Sequence, residues 1–240
     1  MIKIIAHSGA DNTNKNSRSY LSYLNKLKID GFEIDIRLFD GNVVLSHDPI
    51  NSNSCLILEE IFDFINDREK FLVNCDIKEK QATKEVYKKF QEKNMLDKLI
   101  FTGNVDFDFI KDKKEIKTFV NSEFLIDGSN IYGFFKDNKI YELIKKYREL
   151  EKNYNVSGIC INYKSLDILS FKLLLNSGIN LSIWTVDNKE CLEKMLKIKT
   201  NSIIFITTNK INYVLERVNM SNIWIYIRFF LSLRYNVFKI

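Results

Sequence analysis

Phe32-Glu33-Ile34-Asp35-Ile36 runs through Arg37-Leu38-Phe39 to Asp40-Gly41, and Asn42-Val43-Val44-Leu45-Ser46-His47-Asp48 follows. The first run is apolar at alternate positions and predicts a strand. Side chains two apart on a strand share a face, so Glu33 and Asp35 stand on one side, about 7 Å apart along it. Asp-Gly between two apolar runs is a strong hairpin signal. With Asp40-Gly41 as a two-residue loop, position 39 pairs with 42 and 35 with 46, which brings His47 back to the level of the carboxylates. The chain has two histidines. The other, His7, closes the apolar run Ile4-Ile5-Ala6.

Working outward from this stretch, the same unit recurs: a short apolar run ending in a polar group, then an amphipathic stretch. The runs are Ile2–His7, Phe32–Ile36, Phe71–Lys78, Leu99–Gly103, Phe119–Ile126, Gly158–Asn162, Leu181–Val186 and Ser202–Thr207. Helical patterns fall at Arg18–Leu27, Leu56–Ile65, Thr83–Lys93, Lys139–Glu151, Leu166–Leu175, Lys189–Leu196 and Asn209–Val218. Near-continuous apolar strands alternating with helices predict a parallel sheet covered by helices. Eight such runs give an α/β (β/α)8 TIM barrel, with Val43–His47 as a hairpin extension after strand 2. An open doubly wound sheet is the runner-up, lowered because no Gly-rich phosphate loop follows the first strand. Barrel chemistry sits at the C-terminal ends of strands. His7, Glu33, Asp35, Asp76, Lys78, Asn162, Trp184 and Thr207 all fall at or near those ends.

At 240 residues the chain has room for one large domain, and its 45% apolar and 28% charged residues are ordinary for a soluble protein. A single proline argues against linkers. Cys55, Cys75, Cys160 and Cys191 show no C-x-x-C spacing, and with no leader read at the N-terminus they suit a reduced, cytoplasmic setting. The net charge of +5 is concentrated after residue 209, where Lys210, Arg217, Arg228, Arg234 and Lys239 face one acid, Glu216. That leaves the main body near neutral and gives no support for nucleic acid as its partner.

Three carboxylates from neighbouring strand ends suit an oxygen-loving Mg2+ or Ca2+, and Asp76 supplies the third, in Leu72-Val73-Asn74-Cys75-Asp76-Ile77-Lys78. Salt bridges at the rim are the plain alternative for Glu33 and Asp35. Lys78 is a charge for an anionic substrate or a partner for Asp76. His7 and His47, both at strand ends near the acids, suit proton transfer near neutral pH. Arg37 continues the Glu33, Asp35 alternation and could reach a phosphate or simply face solvent. Trp184 could wall a pocket or fill the core.

These residues, taken together, resemble the glycerophosphodiester phosphodiesterases. That family opens with His-Arg-Gly, then Glu-Asn-Thr, Glu-x-Asp, Asp-Gly and His-Asp, and later shows Glu-x-Lys, Trp-Thr-Val and a closing Thr-Asp. Here stand His7-Ser8-Gly9, Lys15-Asn16-Ser17, Glu33-Ile34-Asp35, Asp40-Gly41, His47-Asp48, Asp76-Ile77-Lys78, Trp184-Thr185-Val186 and Thr207-Thr208, in the same order. The resemblance is strong to Lys78 and thin between residues 100 and 180. It implies His7 and His47 as catalytic, Glu33, Asp35 and Asp76 as metal ligands, and Lys78, Arg37, Trp184 and Asn16 as substrate contacts. Three positions depart from the pattern. Ser8 replaces a phosphate-binding arginine, Lys15 stands where an acid is expected, and Asp76 is one methylene shorter than glutamate. Only seven residues separate Asp48 from Leu56, so the family's usual insertion there is much reduced.

The resemblance implies metal-dependent hydrolysis of a glycerol-type phosphodiester, a small-molecule substrate, to an alcohol and a phosphomonoester. The alternatives are a barrel that binds a phosphorylated ligand without cleaving it, and a phosphodiesterase acting on lysophospholipid or polyol-phosphate polymer. Residues 1–218 form the barrel domain and 219–240 a separate tail. Its run Ile223-Trp224-Ile225-Tyr226-Ile227-Arg228-Phe229-Phe230-Leu231 is too short to span a bilayer but suits peripheral contact with the inner membrane face. Packing on the barrel or in an oligomer suits it equally.

Overall fold

The structure is a computed structural model that describes residues 1–50, 55–126 and 139–217. Eight parallel strands close on themselves. They are β1 (Ile2–Ala6), β2 (Gly31–Phe39), β5 (Leu72–Ile77), β6 (Leu99–Gly103), β7 (Lys117–Asn121), β8 (Gly158–Asn162), β9 (Asn180–Trp184) and β10 (Ile204–Thr208). Closure is made by β1, which pairs with β10 through Ile2↔Ile204 to Ala6↔Thr208 and with β2 through Ile5↔Gly31 and Ala6↔Phe32. This is the expected (β/α)8 barrel, with helices on its outside.

The side-chain alternation of each strand separates an outer core from the barrel interior. Phe32, Ile34 and Ile36 of β2, with Val73, Cys75 and Ile77 of β5, pack outward against helices such as Ala82–Glu92, which contributes Val86 and Phe90. The floor of the interior is apolar, formed by Ile5, Ile100, Phe119, Cys160 and Phe205, with the Phe119 and Phe205 rings edge to face at 5.3 Å. Above this floor the inward positions turn polar, which sets the site at the C-terminal mouth.

The hairpin forms as the sequence predicts. Antiparallel β3 (Asn42–Leu45) pairs Phe39 with Asn42 and Ile36 with Leu45, and Ser46 N–H donates to the Asp35 carbonyl at 3.0 Å. Asp40 and Gly41 take φ of 47° and 76°, the left-handed pair that a two-residue turn of this hand requires. A further strand, β4 (Leu56–Ile57), pairs with β3 where the sequence pattern reads as the start of a helix. The helix begins only at Glu60. The run 119–126 also divides: β7 ends at Asn121 and a short helix, Ser122–Leu125, follows. The tail expected at 219–240 lies outside the described residues. Among those described, no helix is long and apolar enough to cross a membrane, and all four cysteines are unpaired.

Candidate active site

Parallel pairing of β2 with β5 sets Glu33 beside Asn74 and Asp35 beside Asp76. One oxygen from each of Glu33, Asp35 and Asp76 lies within 4.8 Å of the others. Lys78, just past β5, places its Nζ 2.7 Å from Asp35 Oδ1 and 2.5 Å from Asp76 Oδ2. Asp35 Oδ2 accepts further hydrogen bonds from Asn16 Nδ2 at 2.7 Å and Ser8 Oγ at 3.0 Å. Asn16 Oδ1 also accepts from the Asp35 backbone N–H, so Asn16 grips that residue at both ends. Tyr20, fully buried behind the site, donates from its hydroxyl to the Ala6 carbonyl at 2.8 Å and ties helix Arg18–Leu24 to the first strand.

The three acids differ in how readily each gives up its proton because their partners differ. Burial pushes Glu33 well above the ordinary carboxyl value, and the neighbouring Asp76 and Asp35 charges push it further. Burial also raises Asp76, against the pull of Lys78. Asp35 meets the same burial, but the Lys78 charge and the hydrogen bonds from Lys78, Asn16 and Ser8 outweigh it, and its carboxyl is held low. Burial would lower Lys78, but the two aspartates raise it overall. One ammonium thus serves three carboxylates.

The histidines flank this group. Each has its Nδ1 engaged. His7 Nδ1 lies 2.9 Å from Asn209 Oδ1. The orientation of that amide follows from its other end: Asn209 Nδ2 donates to Asp187 Oδ2 at 2.8 Å, and the Asn209 backbone N–H donates to Asp187 Oδ1 at 2.8 Å. A carboxylate accepts only, so Asn209 must turn its oxygen to His7, and His7 Nδ1 carries the proton. Burial is the main cause that lowers His7 below 6.5, opposed by the Asn209 hydrogen bond and the Asp35 charge. His47 Nδ1 lies 2.8 Å from Asp48 Oδ1, with its side chain half exposed.

A cavity of about 280 Å³ is lined by His7, Glu33, Asp35, His47, Asp76 and Lys78 on one side. Trp184, Asn121, Glu123, Cys160 and Thr207 are among the residues that complete it. Of the residues named from sequence, two stand apart. Arg37 does not line the cavity. Its Nη1 pairs with Glu79 Oε1 at 2.9 Å and its Nε and Nη2 donate to the His47 carbonyl at 3.1 Å, so it pins the hairpin strand that carries His47. Asn16 is buried beneath the acids, holding Asp35. Asn209 and Asp187 were missed. Asp187 follows directly on the Trp-Thr-Val stretch, and Asn209 follows Thr208, one place beyond the Thr207-Thr208 pair matched to the closing motif.

No protein-family model matches the chain, and no curated protein does. The fold has solved counterparts. A protein of Agrobacterium tumefaciens C58 assigned as a glycerophosphoryl diester phosphodiesterase superposes with a TM-score of 0.74 at 13% identity, over 93% of this chain and 99% of that one. A glycerophosphodiester phosphodiesterase of Parabacteroides distasonis gives 0.70 at 16% identity, over 92% and 98%. A phosphodiesterase of Oleispira antarctica, solved with its product sn-glycerol-3-phosphate, gives 0.64 at 14%, over 90% and 96%. The chain therefore has the barrel fold seen in solved glycerophosphodiester phosphodiesterases, along nearly its whole length.

Proposed function

We propose that this protein is a glycerophosphodiester phosphodiesterase, hydrolysing a glycerol-type phosphodiester to an alcohol and a phosphomonoester. The observation that carries the reading is the convergence of both histidines with Glu33, Asp35 and Asp76 on one cavity. The barrels of matching fold include one solved with a glycerol phosphate product.

A divalent cation fits the acids. Lys78 pairs with Asp35 and Asp76, and the carboxylate of Glu33, a residue only 7% exposed, receives no hydrogen bond among the described residues. Glu33, Asp35 and Asp76 would hold the ion, and their all-oxygen chemistry suits Mg2+ or Ca2+. When bound, such an ion polarises a phosphoryl oxygen and lowers the pKa of a hydroxyl or water.

The protein's own groups move the protons. His7, neutral and with its proton fixed on Nδ1, presents Nε2 as the base that takes the attacking hydroxyl's proton. As the new P–O bond forms, the bond to the leaving alcohol breaks. His47, whose Nδ1 pairs with the Asp48 carboxylate, donates a proton from Nε2 to that leaving oxygen. With a neighbouring substrate hydroxyl as attacker the first product is a cyclic phosphate, which water opens with the two histidines in exchanged roles. Lys78 adds positive charge beside the reacting group. Trp184 walls the cavity. Four unpaired thiols suit a reducing, cytoplasmic setting.

The test is incubation with glycerophosphodiesters of several head groups, with Mg2+ or Ca2+ and with or without EDTA. Metal-dependent release of alcohol is expected. Its absence across the panel, with a folded protein, would leave a ligand-binding barrel without this chemistry.

A further inference from the structure

A phosphodiester is an anion, and the cations nearest the acids and the hairpin are already paired. Lys78 bridges Asp35 and Asp76. Arg37 holds Glu79 and the His47 carbonyl. Arg18 holds Glu60, its Nη2 2.6 Å from Oε2, and Lys80 pairs with Asp106 at 3.3 Å. Ser8, directly after His7, has its hydroxyl turned into Asp35 and offers no charge.

Lys15 is different. Among the described residues it forms no ion pair and no side-chain hydrogen bond, yet it sits at the mouth. Its stem lies across Gly9, with Lys15 Cγ 3.0 Å from where a Cβ on that glycine would stand. It lines a groove of about 500 Å³ together with Ser17, Ser46, His47 and Asp48, and that groove meets the catalytic cavity at His47. Its positive charge is felt by His7, Glu33 and Asp48. An exposed lysine without a partner is commonplace. One in a groove that shares His47 with the catalytic cavity, beside Lys78 and Arg37 that are already paired, is not.

We propose that Lys15 is the substrate-binding cation of this site, closing over a non-bridging oxygen of the phosphodiester. The proposal rests on the phosphodiesterase reading and deepens it. A flexible four-carbon stem with three donors suits capture of a phosphoryl oxygen that arrives from solvent. Asp35 and Asp76 hold Lys78 in place, and among the described residues no acid is ion-paired with Lys15. The contact lies at the surface, so it is screened by salt.

The experiment compares Lys15→Met and Lys15→Arg with Lys145→Met, which removes the same charge from the exposed face of helix Ile140–Asn153, remote from the mouth. Inorganic phosphate and sn-glycerol 3-phosphate are titrated calorimetrically into each in Mg2+, at low and high salt, and KM and kcat are measured where a diester is cleaved. Lys15→Met is expected to weaken both ligands about 10-fold, the scale of one charged hydrogen bond. The loss should appear in KM more than kcat and shrink at high salt, and Lys15→Arg should recover most of it. Equal affinity in Lys15→Met and wild type, or a loss no larger than in Lys145→Met, overturns the proposal. Should wild type bind phosphate but cleave no diester, the hydrolysis reading falls while the binding comparison still decides Lys15. Should wild type bind neither ligand, both fall.

Discussion

Replacing Glu33 with Gln should make the metal-free protein more stable and the metal-loaded protein less so. Without a cation, three carboxylates within 4.8 Å face the Lys78 ammonium, and among the described residues the Glu33 carboxylate is the one that accepts no hydrogen bond. Gln keeps the volume and removes the uncompensated charge. Relief of one such buried charge is worth about 1–3 kcal/mol. For a chain of this length each kcal/mol moves Tm by about 2–4 °C, so a rise of roughly 2–12 °C is expected in chelator. With the ion at 1,000 times its Kd, wild type gains about 4.1 kcal/mol, or roughly 8–16 °C, while the variant gains little. The two melting curves should therefore exchange order. The pH dependence has a defined sign as well. Glu33 lies above its ordinary 4.5 in the folded protein, so its contribution to stability is fully present below 4.5 and is lost as pH rises through the folded value. The metal-free Tm of wild type should fall over that window more steeply than that of Glu33→Gln. Differential scanning calorimetry in EDTA and in a Mg2+ or Ca2+ series measures all of this. A variant less stable than wild type in chelator, or an equal metal-induced rise in both, would refute the charge argument.

Gly103→Ala should damage the site through the backbone. Its φ is +81° and a Cβ there would stand 2.3 Å from Asp76 Oδ1, so calorimetry should find weaker metal binding and a stability loss of about 1–3 kcal/mol. Asn209→Leu removes the partner of His7 Nδ1 and should lower kcat about 10- to 100-fold, the scale of losing a group that orients a catalytic imidazole. The acidic limb of kcat/KM, expected below pH 6.5 in wild type because burial lowers His7, should move lower still, since Asn209 raises that group. An unmoved limb would give Asn209 a packing role only. His47→Ala should reduce kcat at least about 100-fold with its Tm kept, because the side chain is half exposed and carries no core packing. Near-normal turnover would remove the proposed acid.

Short-range chemistry made much of this molecule legible before any coordinates. The Asp40-Gly41 turn fixes the register of two strands by itself, and the pairing of 35 with 46 follows from counting. Glu33 and Asp35 share a face because strands alternate. The convergence of Asp76 needed only the barrel order, which places β5 beside β2. What sequence could not supply was competition between partners. Arg37 continues the inward alternation, yet Glu79 and the His47 carbonyl claim its guanidinium, and Glu79 is 42 residues away. Asn209 orders His7 across 202 residues, a contact visible only once β1 and β10 are neighbours. The stretch 119–126 reads as one strand because Phe and Val suit a strand, while Ser122-Glu123-Phe124-Leu125 forms a short helix and sets Glu123 at the mouth.

The shorter acid at position 76 illustrates how the barrel accommodates a departure from the expected motif. A missing methylene would open a gap if the strand stood where a glutamate needs it. Here Asp76 still brings an oxygen within 4.8 Å of both partners. Gly103, paired with Ile77 on the adjacent strand, leaves no side chain in the space that Asp76 Oδ1 occupies. Lys78 holds the other oxygen at 2.5 Å, and Thr102 reaches Oδ1 at 3.5 Å. The carboxylate is fixed from its flanks rather than by its reach. The same logic applies to Asp35, anchored by Ser8 and Asn16 from the segment after β1. In that arrangement Ser8 serves the acid cluster, and in the proposed reading Lys15 supplies the charge that Ser8 lacks.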